Sequence, residues 1–125
     1  MLVGIGNNLC ENQRIADLMQ RYDKRFLNRI FTAGEQEYCL SRGEPVLHLA
    51  ARFALKVAFF KALGVEWGLY PPLKEESLEG QSMGKKTLQP SPMVKTYLDQ
   101  FKVNNIAFSI AHEKDYSVAY VILES

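Results

Sequence analysis

The chain has 125 residues, of which 47% are hydrophobic and 23% are charged, and these proportions are typical of one folded domain, here residues 1–125. Fifteen Lys+Arg against fourteen Asp+Glu give a net charge of +1, which lacks the basic excess of a nucleic-acid-binding protein. No apolar run approaches the ~18–20 residues that cross a bilayer, so a membrane protein is not expected.

The two cysteines bear on the cellular compartment. Cys10 and Cys39 lie far apart with no CxxC spacing, and residues 1–6 lack the basic segment that begins a signal peptide. We therefore expect reduced thiols and a cytoplasmic location, which argues against a secreted disulfide scaffold or a zinc ribbon.

The N-terminal pattern predicts a short strand followed by a helix. Residues 1–5 are mostly apolar and lead into Gly-Ile-Gly-Asn-Asn at residues 4–8, which favours a strand that enters a tight turn. Because the helical pattern weakens near Asp23, one bent helix and two short helices fit it equally well. Apolar residues at helical spacing are Ile15, Met19, Tyr22 and Phe26, and a neighbouring, mostly basic stripe contains Arg14, Leu18, Arg21 and Arg25.

Two helices with clear boundaries are predicted in the middle of the chain. Thr32 and Glu35 have the spacing of a capping box, which begins a short helix. Residues 46–63 form the longest helical pattern, and Gly64 suits the left-handed position that follows a helix. The apolar face of this long helix is expected to contain Leu49, Ala50, Phe53, Ala54 and Val57.

The C-terminal half predicts two pairs of strands separated by a helix. Residues 73–88 are interrupted by two glycines and are interpreted as strand, turn and strand. Ser91 and Pro92 begin a helix, because Ser supplies an N-cap oxygen and Pro fits the first helical position. Residues 106–110 alternate as a strand does, and residues 116–123 pair back on them. Strands at both ends with helices between them indicate an α+β domain.

Several side chains could carry chemistry, but each also has a structural interpretation. Lys56 and Lys61 on the long helix are interpreted as cations whose aliphatic stems cover apolar neighbours. His112 ends a strand, a usual place for a functional side chain, although a lone His is more often a hydrogen-bonded structural residue. The basic stripe is either a solvated face or a docking surface for an acidic partner, since no Asp or Glu lies on it.

Several segments resemble bacterial holo-[acyl-carrier-protein] synthases. Residues 4–8 and Arg-Ile-Phe-Thr-Ala-Gly-Glu at residues 29–35 are similar to the N-terminal third of that family. Residues 52–64, which read Arg-Phe-Ala-Leu-Lys-Val-Ala-Phe-Phe-Lys-Ala-Leu-Gly, resemble its signature helix. Phe-Ser-Ile-Ala-His-Glu at residues 108–113 resembles its C-terminal hairpin. The similarity covers nearly the whole chain in order, which makes it specific for the fold.

The resemblance implies a fold and a reaction. The fold would be that of 4′-phosphopantetheinyl transferases, an antiparallel sheet packed against a long central helix. The reaction would move the phosphopantetheine arm of coenzyme A onto a serine of an acidic acyl carrier protein of fatty acid biosynthesis, releasing 3′,5′-ADP. The family also implies a homotrimer with sites between protomers, and Mg²⁺ to offset the negative charge of the diphosphate.

The resemblance also assigns roles to residues at matching positions. Lys56 and His112 would be catalytic, while Lys61, Gly64 and Lys85 would bind coenzyme A. The arginines that would dock the carrier protein are Arg14, Arg21, Arg25 and Arg29.

Two positions depart from the metal-binding pattern of the family. The family holds its metal with an Asp in a GIGxD turn and with a Glu in the KEA of the long helix. This chain has Asn8, whose neutral amide oxygen is a weaker ligand, and Val57, which has no ligand atom. We therefore expect weakened Mg²⁺ binding. Two functions stay open, a transferase with altered metal dependence and a homologue that binds the carrier protein without transfer.

Overall fold

The fold is built around one long helix that packs against a three-stranded antiparallel sheet. The computed structural model describes residues 1–67, 71–80 and 86–125. The α+β class and the sheet against a central helix, both expected from the sequence, are confirmed. The elements in chain order are β1 (Leu2–Glu11), α1 (Asn12–Tyr22), α2 (Lys24–Ile30), α3 (Ala33–Leu40), α4 (Pro45–Leu63), a single 3-10 turn (Leu73–Glu75), β2 (Glu76–Glu79), β3 (Thr87–Pro90), α5 (Pro92–Gln100), β4 (Asn105–His112) and β5 (Tyr116–Glu124).

β5 is the central strand of the main sheet. The strand order is β1-β5-β4, and both neighbours run antiparallel to β5. Val121 of β5 lies opposite Gly6 of β1 on one side and opposite Phe108 of β4 on the other. Val121 and Leu123 are fully buried in the core that this sheet shares with α4. A separate two-stranded sheet pairs β2 with β3.

β1 is longer than the sequence predicts, and the tight turn expected at residues 4–8 is wrong. Its glycines lie inside the strand, because α4 crosses β1 at very short range. A Cβ atom on Gly4 would lie 2.0 Å from the Ala62 carbonyl oxygen, and one on Gly6 would lie 2.0 Å from that of Ala58. The Gly-x-Gly spacing therefore reflects close strand–helix packing rather than a turn.

The N-terminal helical segment is divided in two. α1 and α2 meet at Asp23, whose φ of 49° lies in the left-handed region and interrupts the helix. Of the two alternatives, two short helices are confirmed. The capping box that begins α3 is also confirmed, since Thr32 Oγ1 accepts from the Glu35 amide at 3.2 Å and Glu35 Oε1 accepts from the Thr32 amide at 3.0 Å.

α4 begins at Pro45, one residue earlier than predicted, and Gly64 ends it with a φ of 68°, as predicted. Most of its residues are buried on every side of the helix, rather than on one face. Within the predicted apolar face, Phe53 and Val57 are only half-buried, whereas the other members are buried. These two residues lie one turn apart and mark the side of α4 that faces a cavity.

The predictions for the C-terminal half are confirmed within the described residues, except that residues 73–75, expected in the first strand, form the 3-10 turn. β2 and β3 form the expected pair, although their connection at residues 81–85 lies outside the described residues. Ser91 Oγ accepts from the Val94 amide at 3.3 Å at the beginning of α5. In the β4–β5 hairpin, His112 lies opposite Ser117. Within the described residues, no helix is both long enough and apolar enough to cross a bilayer.

Candidate active site

A cavity of about 380 Å³ lies between the end of β1, the beginning of α1 and the half-buried side of α4. It is called the β1–α4 cavity below. Its polar lining combines the amide of Asn8, the carboxylate of Glu11 and the guanidinium of Arg14, so one acidic and one basic group face the same space. The lining residues are Asn8, Leu9, Cys10, Glu11, Arg14, Phe53, Val57 and Tyr116.

Lys61 connects α4 to the β1 side of this cavity. Its Nζ donates to the backbone carbonyl of Asn7 at 3.2 Å and to Asn8 Oδ1 at 3.3 Å. Lys61 lies one helical turn after Val57, and its side chain is exposed. The structure therefore brings three of the positions singled out in the sequence, Asn8, Val57 and Lys61, to one place.

Lys56 is buried in the interior and does not line the cavity. Its Nζ forms an ion pair with Glu35 Oε1 at 2.7 Å, and it donates to the carbonyls of Leu73, at 3.1 Å, and Glu76. Burial lowers the pKa of Lys56, and the neighbouring Glu35 carboxylate opposes that shift. The ammonium therefore joins α4 to α3 and to the beginning of β2.

A buried carboxyl group that sequence analysis missed lies next to Lys56. Glu76 is 0% exposed, and neither of its carboxylate oxygens has a hydrogen-bond partner among the described residues. Burial raises the pKa of Glu76 to about 8, although the Lys56 ammonium acts in the opposite direction. Glu76 follows Lys74 and Glu75, and such a charged run is typical of an exposed segment, so the sequence contained no signal of its burial.

Arginine and histidine side chains surround the ring of Tyr38, which lies on α3. They belong to the segment after α3, to the first half of α4 and to the end of β4. The guanidinium carbons of Arg42 and Arg52 lie 4.5 and 4.4 Å from the Tyr38 ring centre. The His48 ring centre lies 5.9 Å from that of Tyr38 and 6.2 Å from that of His112. Burial lowers the pKa of His48, and the neighbouring Arg52 lowers it further. These residues are called the Tyr38 cluster: Tyr38, Arg42, His48, Arg52 and His112.

The Tyr38 cluster has the composition of an anion-binding site. The Nε atoms of Arg42 and Arg52 are buried and have no hydrogen-bond partner within the described part of the chain. Among the described residues, His112 belongs to this cluster and does not line the β1–α4 cavity. Sequence analysis identified His112 but missed Tyr38 and His48, because only the tertiary fold brings them beside it.

The four arginines predicted to dock a partner are exposed along α1 and α2. Arg21 and Arg25 both lie near one exposed ring, with their guanidinium carbons 6.0 and 5.9 Å from the ring centre of Tyr22. Arg14 also lines the β1–α4 cavity, so the basic surface extends from the cavity along the two helices. The basic surface consists of Arg14, Arg21, Arg25 and Arg29.

The family model described as the 4′-phosphopantetheinyl transferase superfamily matches residues 4–121 of the chain. The chain belongs to this superfamily. The family that the sequence motifs indicated is therefore confirmed, and the match includes β1, the long helix and the C-terminal hairpin.

Individual relatives of this superfamily member are similar over nearly their full length. The holo-[acyl-carrier-protein] synthase of Leptospira biflexa is 39% identical over 121 residues, covering 97% of the chain and 95% of the relative. That of Protochlamydia amoebophila is 39% identical over 125 residues, covering 100% of both. Among solved structures, the Neisseria meningitidis synthase has a TM-score of 0.88 at 29% identity, covering 100% of both chains. The Helicobacter pylori synthase in complex with coenzyme A has a TM-score of 0.80 at 25% identity, covering 96% of this chain and 99% of that one.

The residues of this superfamily member do not fit the divalent cation that its family pattern implies. Val57 presents hydrocarbon to the cavity, and Asn8 Oδ1 already accepts a hydrogen bond from Lys61. A Mg²⁺–oxygen bond of about 2.1 Å added to the 3.3 Å from Asn8 Oδ1 to Lys61 Nζ would place two cations within about 5.4 Å of each other. The one carboxylate in the cavity, Glu11, has no acidic neighbour there. The described residues contain no group of three or more His, Cys, Asp or Glu able to hold a metal ion.

The remaining predicted ligand positions lie at the C-terminal end of α4 and beyond it. The Gly64 amide donates to the carbonyls of Phe60 and Lys61, and no atom lies within 4 Å of a Cβ built on Gly64, so its surroundings are open. Lys85 lies outside the described residues. The structure thus places Lys61 and Gly64 on one exposed end of the helix.

Proposed function

We propose that this superfamily member is a holo-[acyl-carrier-protein] synthase, which moves the 4′-phosphopantetheine arm of coenzyme A onto a serine of an acyl carrier protein. The proposal is carried by the similarity over the whole chain to synthases of that name, at 39% identity. The relatives are named for transfer rather than for carrier binding alone, so they support the transferase over the alternative without transfer.

The transfer is a displacement at phosphorus. The serine oxygen forms a bond to the phosphorus that carries the pantetheine arm, while the bond from that phosphorus to the bridging diphosphate oxygen breaks. 3′,5′-ADP leaves with the electron pair of that bond, and the hydroxyl proton is released to solvent. Because negative charge gathers on the leaving phosphate, cations held at fixed positions stabilise the transition state.

Two places on the molecule support coenzyme A as the substrate, since each offers positive charge and coenzyme A carries a diphosphate and a separate 3′-phosphate. Lys61 and Gly64 lie at the exposed end of α4, and we assign the diphosphate to them, together with Lys85. The Tyr38 cluster, which includes the proposed catalytic residue His112, offers buried guanidinium donors for a second phosphate.

The catalytic role of Lys56 stays a prediction. Its ammonium is committed to Glu35 and to two backbone carbonyls inside the protomer. These contacts support a role in positioning α4, the helix that carries Lys61, rather than direct contact with the substrate.

The basic surface supports an acidic carrier protein as the partner. Its arginines are exposed, and it begins at the β1–α4 cavity, so a carrier docked on α1 and α2 would have its serine near the site. Opposite charges on two surfaces accelerate association and select the partner. Modification of such carriers would place the protein in fatty acid biosynthesis.

The outer face of the main sheet supports a homotrimer. Ile5 and Leu9 are 61% and 64% exposed, on the face of β1 opposite to the glycines that contact α4. Tyr120 of β5 lies opposite Asn7 in register and is 52% exposed, so the apolar surface continues onto the next strand. Subunits packed on this face would bury it, and sites between protomers would follow.

The free thiols of Cys10 and Cys39 support a location in the reducing cytoplasm.

Mass spectrometry of a carrier protein tests the proposed function directly. The protein is incubated with an apo acyl carrier protein and coenzyme A, in EDTA and in Mg²⁺, and the carrier is expected to gain the mass of one phosphopantetheine arm. A carrier whose acceptor serine is changed to alanine is the matched control and should gain nothing. Absence of the mass gain with several acidic carriers in both conditions would contradict the proposal.

A further inference from the structure

The contact of Lys61 with β1 places an ammonium beside Asn8, one of the two positions where the family pattern has a metal ligand. The Asn7 carbonyl and Asn8 Oδ1 hold Lys61 Nζ at 3.2 and 3.3 Å. Both partners are neutral oxygens, so they orient the ammonium without cancelling its charge. The positive charge therefore stays available to an anion that approaches the end of α4.

Val57 determines what else can reach this ammonium. It lies one turn before Lys61 on the same helix, and its side chain lines the β1–α4 cavity. An acidic side chain at position 57 would pair with Lys61 across that turn, because residues four apart are neighbours on a helix surface. With valine there, and with asparagine instead of aspartate at position 8, two competing negative charges are absent from the surroundings of the ammonium.

The other charges of the cavity agree with an anion as its ligand. Arg14 adds a guanidinium to the cavity lining, and Glu11 is the carboxylate that partly offsets it. Lys61, which contacts Asn8 of the lining, adds a second positive charge next to the cavity. A diphosphate needs such charge from its surroundings, whether a metal ion or protein side chains supply it.

We propose that the Lys61 ammonium takes the place of a divalent cation in this protein, so that coenzyme A binds through its diphosphate without a bound metal ion. Asn8 acts as the positioning residue that holds the ammonium toward the diphosphate. The inference rests on the proposed function, because it takes coenzyme A as the ligand. It replaces the divalent cation implied by the family pattern with a side-chain cation.

Calorimetric titration of coenzyme A into the full chain tests the inference. The chain is first freed of metal ions by chelation and is then titrated in EDTA and in Mg²⁺. The wild-type dissociation constant is expected to agree within about twofold between the two conditions. Lys61→Met is expected to raise the dissociation constant in EDTA by about tenfold or more, since it removes a charged hydrogen-bond donor while keeping the length of the side chain. Lys95→Met, on exposed α5, removes the same charge elsewhere and should leave affinity unchanged.

The Asn8→Asp, Val57→Glu double variant supplies the opposite case. Its two carboxylates should bind Mn²⁺, which is detected as the loss of the free-ion signal in electron paramagnetic resonance, and should make coenzyme A affinity depend on metal. The wild-type chain should show no Mn²⁺ binding beyond that of coenzyme A alone. Stoichiometric Mn²⁺ binding by the wild type, or coenzyme A binding only in Mg²⁺, would overturn the inference and leave the proposed function standing. No coenzyme A binding in either condition would overturn the proposed function itself.

Discussion

Glu76 lies beside an ion pair that is already complete. Glu35 neutralises Lys56 at 2.7 Å, so Glu76 has no full counter-charge left to it, and its oxygens have no hydrogen-bond partner in the described part of the chain. A buried carboxylate in such surroundings is unfavourable, and the group takes up a proton instead. The pKa of about 8 expresses this preference for the neutral form.

Glu76 should make the fold less stable as the pH rises. Its folded pKa of about 8 exceeds its ordinary value of 4.5, so the folded state binds more protons than the unfolded state between these values. This contribution to stability is fully present below pH 4.5 and is lost as the pH rises through 8. We expect Glu76→Leu to flatten the pH dependence and to raise the free energy of unfolding at pH 8 by about 1–4 kcal/mol, as measured by urea denaturation.

Glu79 provides the matched control, because it lies on the same strand and is exposed. Glu79→Leu also removes one carboxylate, but it should leave the slope of stability against pH close to that of the wild type. An unchanged slope in Glu76→Leu would show that Glu76 is ionised in the folded protein.

At the scale of elements, the site depends on how closely β1 approaches α4. Because Gly4 and Gly6 have no side chains, the strand backbone packs directly against the helix backbone. This short distance between β1 and α4 brings Asn8 within hydrogen-bonding range of Lys61. A Cβ atom on Gly6 would also lie 2.8 Å from the Ala62 amide nitrogen, so the helix backbone itself blocks any larger residue.

Gly6→Ala should therefore destabilise the fold by about 3 kcal/mol or more, because β1 must move away from α4 to admit the methyl group. The midpoint of urea denaturation measures the effect. Gly34→Ala on α3 is the control, since a Cβ there meets no atom within 4 Å and alanine favours helix, so its stability should be unchanged or higher. Equal midpoints for the two variants would contradict the close approach of β1 to α4.

How much could be predicted from sequence differs between these elements for physical reasons. The beginnings of α3 and α5 were predictable because Thr32 and Ser91 act on amides only three residues away. The role of Gly6 was not, because a glycine in a turn and a glycine under a helix have the same sequence signal. The positions of Asn8 and Val57 were identified through the family motifs, whereas the contact of Asn8 with Lys61 depends on the crossing of two distant segments.

At the scale of the whole molecule, a net charge of +1 conceals an uneven distribution. The basic surface concentrates four exposed arginines on α1 and α2, next to the β1–α4 cavity. Electrostatic attraction between proteins depends on such local fields more than on the sum of charges, and it weakens as salt shortens the screening length.

Charge reversal on this surface should weaken binding of an acidic carrier protein. Arg21→Glu is expected to raise the dissociation constant by about tenfold at low ionic strength, and the difference from the wild type should shrink as NaCl is added. Surface plasmon resonance at several salt concentrations measures both effects. Lys95→Glu makes the same change of charge on α5 and should have little effect, whereas an equal loss of affinity in both variants would show that the carrier does not dock on α1 and α2.

The carboxylate of Glu35 ties together three segments that are remote in the chain. Oε1 receives the Thr32 amide and the Lys56 ammonium, and Oε2 receives the Leu78 amide at 3.0 Å. If the first turn of α3 unfolds, Lys56 of α4 therefore loses its counter-ion and Leu78 of β2 loses a hydrogen-bond acceptor. We expect local opening in this part of the molecule to break these three contacts together, which would stabilise α4, the helix that carries Lys61.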